Sequence, residues 1–126
     1  MKEKKKQNCI FDCDTGVDDA VALILSIYDE ALDIKLITTV CGNLSLNKVT
    51  RNALHILEKF NRTDIPLAMG ATKAMERISP DATFIHQKEG MGGYIPPKVV
   101  KTKPIEQDAI EAMYETIKKY KNDIVI

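Results

Sequence analysis

Residues 10–20 read Ile-Phe-Asp-Cys-Asp-Thr-Gly-Val-Asp-Asp-Ala and place four carboxylates, Asp12, Asp14, Asp18 and Asp19, within eight consecutive positions. An apolar run, Cys9 to Phe11, precedes them, and Val17, Val21, Ile24 and Tyr28 follow at spacings of three and four. The first pattern predicts a buried strand and the second a helix, so the acids sit at a strand-to-helix turn. Open α/β sheets bind their ligands at such turns.

The charge in this turn has to be offset. Two unit charges about 4 Å apart repel by roughly 4 kcal/mol at the effective dielectric of a protein surface. A helix N-terminus returns only about 0.3 to 1 kcal/mol per nearby anion, even with Asp18 or Asp19 as its cap. One carboxylate is therefore protonated, or the acids fan into water, or a hard divalent cation is held by their oxygens. The cation is the favoured reading.

The rest of the chain bounds the answer. The 126 residues, 44% of them hydrophobic, suffice for one domain with a core. Eighteen basic and eighteen acidic residues leave no net charge that would call for nucleic acid or a membrane surface as partner. Residues 1–7, with lysines at 2 and 4 to 6, read as a basic solvated tail, since no apolar segment follows to make them a signal peptide. Cys9, Cys13 and Cys41 fall in or beside predicted strands, with poor spacing for zinc, and read as core thiols of a reducing cytoplasm.

Outward from the turn, residues 34–41 form a β-branched run that reads as a second strand, parallel to the first. It ends in Gly42-Asn43, which aims Asn43 at the same crevice as the acids. Ser45 is placed to cap a helix whose apolar stripe is Leu46, Val49, Ala53, Ile56, Leu57 and Phe60, stopping at Asn61. Thr50, Arg51 and Asn52 lie off that stripe, and His55 beside it reads as a surface or packing residue. Residues 65–69, with Pro66, read as a short third strand closed by Gly70. From 70 to 103 the pattern lapses into a loop holding His86 and the glycines 90, 92 and 93, a candidate for close approach to a ligand. A last helix is expected from about Pro104, burying Ile105, Ala109, Met113, Ile117 and Tyr120. Ile124-Val125-Ile126 would open a fourth strand, a point at which the chain reads as cut.

Four segments in this order resemble the inosine–uridine-type nucleoside hydrolases: the acidic turn, Cys41-Gly42-Asn43, residues 48–53 (Lys-Val-Thr-Arg-Asn-Ala) and His86 to Gly93. The resemblance implies an open, mostly parallel, Rossmann-like α/β sheet with helices on both faces. The whole chain would be its N-terminal portion, truncated after about the fourth strand, with 70–103 as an active-site flap. It also implies Ca²⁺-dependent hydrolysis of the N-glycosidic bond of ribonucleosides in a cytoplasmic homo-oligomer. Asp14 would then be both calcium ligand and general base, and Asp19 the other local ligand. Asp18, Asn43 and His86 would contact the nucleoside, and Asp12 would support the turn. Thr15 and Gln87 depart from the family's usual proline and glycine at those places.

Two other readings are set beside this one. Asp12-Cys-Asp14-Thr15 after an apolar strand is also similar to the Mg²⁺-dependent haloacid-dehalogenase phosphatases, but their glycine precedes the threonine and Asp18-Asp19 goes unexplained. A third reading takes the turn as a bare strand-to-helix cap in a truncated, non-catalytic product.

Overall fold

The structure, a computed structural model, describes residues 4–42, 44–76 and 86–126. Three parallel strands, β1 (Gln7–Cys13), β2 (Leu32–Thr39) and β3 (Leu67–Met69), form one sheet in the order β1-β2-β3. Helices α1 (Val17–Tyr28) and α2 (Leu46–Lys59) make the crossovers, and α3 (Ala109–Tyr120) follows β3. This is the α/β architecture expected from the strand, helix, strand pattern.

Side chains alternate across the sheet, so both faces are covered. Cys9, Cys13, Ile34, Ile37 and Leu67 join Leu23 of α1 and Ala53, Ile56 and Leu57 of α2 in one core cluster. Ile10, Leu36 and Ala68 point the other way and meet Ala109 and Ala112 of α3. Beyond β1, on the side away from β2, Val125 forms a parallel bridge with Cys9, its carbonyl taking the Ile10 N–H at 2.8 Å. Among the described residues this is a bridge and not a fourth strand. The chain thus runs outward from β1 to β3 and returns to β1's far side, which makes β1 the place where strand order reverses and a crevice opens at its carboxyl end.

Three local expectations are corrected. In α1 the buried positions are Ala20 and Leu23, with Ile24 and Ile27 packed beside them, whereas Val21 and Tyr28 are exposed. The helix is apolar on nearly every side, so spacing alone could not choose its inner face. The last helix begins at Ala109, not near Pro104, because the Ile105 N–H is spent on the Leu67 carbonyl at 2.8 Å, and Asp108 caps the helix by accepting from the Glu111 N–H. Its buried residues are Ala109 and Ala112, with Ile117 exposed. The third strand is shorter than expected, starting after Pro66, whose carbonyl accepts the Ile37 N–H.

The stop of α2 was readable. Asn61 takes φ 54°, with Arg62 N–H bonded to the Leu57 carbonyl and Asn61 N–H to that of Glu58, a left-handed C-terminal motif that asparagine accommodates. Ser45 occupies the N-cap position of α2 but its side chain makes no capping bond. No helix among the described residues is long and apolar enough to cross a membrane.

The corrected face of α1 is open to test by urea unfolding. Leu23→Ala, at a fully buried position, should cost about 2 to 5 kcal/mol. Leu25→Ala, at a side chain 66% exposed, should stay within about 0.5 kcal/mol of the parent.

Candidate active site

The acidic turn lies where the reversal at β1 opens the sheet. Gly16 is the N-cap of α1 and offers no side chain, and Asp18 and Asp19 occupy the first helical turn. Neither acid caps the helix as the sequence suggested. Asp19 instead turns back, and its Oδ2 accepts the backbone N–H of Asp14 at 3.1 Å. The N–H of Val17 is taken by Nδ1 of His86 at 3.1 Å, across 69 residues of chain. His86 is buried, and with Nδ1 accepting, its ring proton belongs on Nε2.

Asp14 and Asp19 form the close pair. Burial first, then a side-chain hydrogen bond with Asp14 and that residue's negative charge, push the Asp19 carboxyl up to about 6. Asp19 thus keeps its proton above the ordinary carboxylate range, the behaviour of a partly buried acid held beside another. Gly42, at the end of β2, is what admits it: a Cβ there would lie 2.2 Å from Asp14 Oδ2. The glycine of the Cys-Gly-Asn segment is therefore a matter of space for the carboxylate.

The other predicted residues are arranged around this pair. Asp12 is exposed at the end of β1 and tied sideways, its Oδ1 accepting the Thr38 hydroxyl at 2.6 Å. Asp18 has a side chain 80% exposed, its Oδ1 4.0 Å from His86 Nδ1. Asn43 lies outside the described residues. Among those that are described, no three His, Cys, Asp or Glu side chains gather as a metal would need. Asp14 and Asp19 fit a hard cation in kind, as paired carboxylate oxygens, and supply part of a cage that takes six to eight oxygens.

The three cysteines are free, with Cys9 and Cys13 buried, and burial pushes the Cys13 thiol up to about 11. Cys13 is thereby an unreactive core thiol.

Residues to which the sequence assigned no functional role stand on α2. Lys48 donates to the Lys88 carbonyl at 2.8 Å, and Arg51 pairs with Glu89 at 2.8 Å. Asn52 reaches the Glu89 carbonyl at 2.8 Å, and His55 Nε2 meets the Tyr94 hydroxyl at 2.9 Å. These positions run i, i+3, i+4, i+7, one face of a helix. The spacing was visible in the sequence as a polar stripe beside the apolar one. It fastens residues 86–94 against α2, with glycines 90, 92 and 93 all at positive φ.

A parallel sheet with an acidic turn at its switch point and a polar loop beside it has the form of the N-terminal part of the nucleoside hydrolase fold. The chain belongs to the inosine-uridine preferring nucleoside hydrolase family, whose pattern it matches over residues 9–126. It is 48% identical over 85 residues to the non-specific ribonucleoside hydrolase RihC of Salmonella paratyphi A, covering 68% of this chain and 28% of that protein. Among solved structures it is similar to a purine-preferring ribonucleoside hydrolase from Gardnerella vaginalis, with a TM-score of 0.86 and 27% identity over 94% of this chain and 38% of the other. The plant nucleoside hydrolase PpNRh1 gives a TM-score of 0.83 at 32% identity, over 94% of this chain and 37% of the other. The chain thus spans between about a quarter and two fifths of the length of these relatives.

The raised Asp19 carboxyl gives stability a definite pH dependence. Between the ordinary value of 3.8 and about 6 Asp19 holds more proton in the folded chain than in the unfolded one, so this group's contribution to stability is full below 3.8 and is lost as pH rises through 6. Asp19→Asn keeps an acceptor for the Asp14 N–H and removes the slope. Urea unfolding in EDTA between pH 4 and 7.5 should show it more stable than the parent at pH 7 by about 1 kcal/mol, once solvent screening of a partly exposed pair is allowed for.

Proposed function

We propose that the complete protein hydrolyses the N-glycosidic bond of ribonucleosides, releasing ribose and free base with Ca²⁺ as cofactor. The observation that carries this is the Asp14–Asp19 pair, held at the carboxyl end of β1 in a gap that Gly42 leaves open. Family membership supplies the reaction class. When bound, the cation would lower the pKa of a coordinated water and orient the sugar hydroxyls.

Asp14 and Asp19 would hold the ion through their carboxylates. Asp14 would also accept the proton of the attacking water as general base. The exposed Asp18 carboxylate would accept hydrogen bonds from ribose hydroxyls, with Asn43 a further sugar contact. With its Nδ1 engaged by Val17, His86 would meet the nucleoside through Nε2. Asp12, braced by Thr38, would support the turn. Negative charge beside the sugar would stabilise the positive charge that builds on the ring as the bond to the base breaks. The complete protein would work as a cytoplasmic homo-oligomer, whereas the present chain alone, with two local carboxylates, would bind calcium weakly and turn over little.

Incubating the complete protein with nucleosides and with phosphate monoesters tests the assignment. Free base without phosphate release is expected; phosphate release would instead favour the haloacid-dehalogenase-like phosphatase reading. Asp14→Ala should lower kcat by at least about 100-fold, the scale of a lost general base. Asp18→Ala should act mainly on KM, by about tenfold for a lost charged hydrogen bond. Substantial turnover in Asp14→Ala would count against that residue as the general base. Absence of saturable calcium binding in the complete protein would leave the turn a bare cap.

A further inference from the structure

The polar stripe of α2 has one member whose surroundings go beyond fastening a loop. Asn52 is fully buried. Its Nδ2 donates both to the Glu89 carbonyl at 2.8 Å and, at a longer 3.4 Å, to the carbonyl of Thr15, while its Oδ1 accepts from Arg51 at 3.0 Å. Thr15, itself fully buried, directly follows Asp14. We propose that Asn52 is a positioning residue: by bonding the Thr15 and Glu89 carbonyls together, it makes the 86–94 loop and the acidic turn one unit, so that the loop's seat sets the geometry of the Asp14–Asp19 pair.

The same loop reaches the turn a second time. His86, at its start, takes the Val17 N–H, so Thr15 and Val17, the residues on either side of Gly16, are both bound to it, one through Asn52 and one through His86. Just outside this bracket lie Asp14 on one side and Asp18 and Asp19 on the other. A glycine N-cap has no side chain to fix its own backbone, and the bracket does this from elsewhere in the chain.

Seating the loop demands glycine at position 90. Its φ is +76°, and a Cβ there would lie 2.5 Å from Leu44 Cδ1 and 3.1 Å from Asn52 Nδ2. Arg51, at 2.8 Å, and Lys48, at 3.6 Å, hold the Glu89 carboxylate, leaving the carbonyl of the same residue to the Asn52 amide. An amide suits the place because its NH₂ carries two donors for two carbonyls, whereas a carboxylate would set negative charge against both.

The consequence for metal affinity rests on the proposed function; the coupling itself does not. Amide hydrogen exchange of the metal-free chain, read by NMR, separates them. In Asn52→Asp the amides of Gly90 and Gly92 in the loop, and of Asp14 and Val17 in the turn, should exchange at least about tenfold faster, the factor expected for loss of one buried hydrogen bond. The Ile37 amide, bonded to Pro66 across the sheet, should keep its rate. Turn amides that keep their parental rates while the loop loosens would overturn the proposal, as would a parallel rise at Ile37, which marks a merely structural role. Gly90→Ala, which lifts the loop off Asn52 by setting a Cβ against Leu44 and leaves Asn52 itself unchanged, carries the same expectations and decides the matter if Asn52→Asp does not fold. Calcium titration of the complete protein carrying the same variants is the second arm. A complete parent without saturable binding sinks the functional reading and leaves the exchange result standing. Where the parent binds, both variants should lose about tenfold in affinity, and an unchanged affinity beside faster exchange would overturn the positioning role.

Discussion

Holding two carboxylates against one another in a partly buried turn is the constraint around which the rest of this fold is arranged. The pair repels itself, and its energy is lowered by sharing a proton, by an N–H bond from Asp14 to Asp19, or by positive charge from outside. None of these would keep the acids together if the backbone around them were free to open. The turn therefore needs bracing that does not come from its own residues. Two parallel strands fix its entry, and Gly42 at the end of the second leaves the volume that Asp14 fills.

The bracing is supplied from far along the chain. The first amide of α1 is satisfied by a histidine 69 residues away, and the carbonyl after Asp14 by an asparagine 37 residues away. Helix α2 serves two neighbours at once, its apolar stripe filling the core under the sheet while its polar stripe grips the loop beside the turn. A shift of α2 along the sheet would be felt at both. Packing of the core and geometry of the acids are in this way one problem, since the helix that fills the first also sets the second.

Much of this was legible in the sequence. The parallel pairing of the first two strands followed from alternating strand and helix signals, the stop of α2 from Asn61, and the position of the acids at a strand end from the apolar run before them. What periodicity could not give was the inner face of α1, because a helix apolar nearly all round satisfies more than one face, and the start of α3, because the residues after Pro104 lend their backbone to β3 before any helix begins. The resemblance, not spacing, set Asp14 and Asp19 together and Asp18 apart. Spacing alone gave no means to see that Asp19 turns back to Asp14 while Asp18 faces solvent, which depends on where the first helical turn points each side chain.

The passed-over residues show why reading only apolar periodicity is incomplete. Lys48, Arg51, Asn52 and His55 obey the same helical spacing as the core stripe, and a solvated face would have no reason to keep an uncharged amide among longer basic side chains. Asparagine is a poor choice for an exposed helix interior, where it competes with the backbone for its own hydrogen bonds. Its presence in the middle of a long helix, one residue from the apolar stripe, signals a buried polar task, since only a partner for its NH₂ group offsets the cost of placing it there. A glycine-rich loop elsewhere in the chain, free to bring bare carbonyls close, is the complementary feature. Neither clue identifies the other by sequence distance, but both follow from the rule that buried polar groups must be paired.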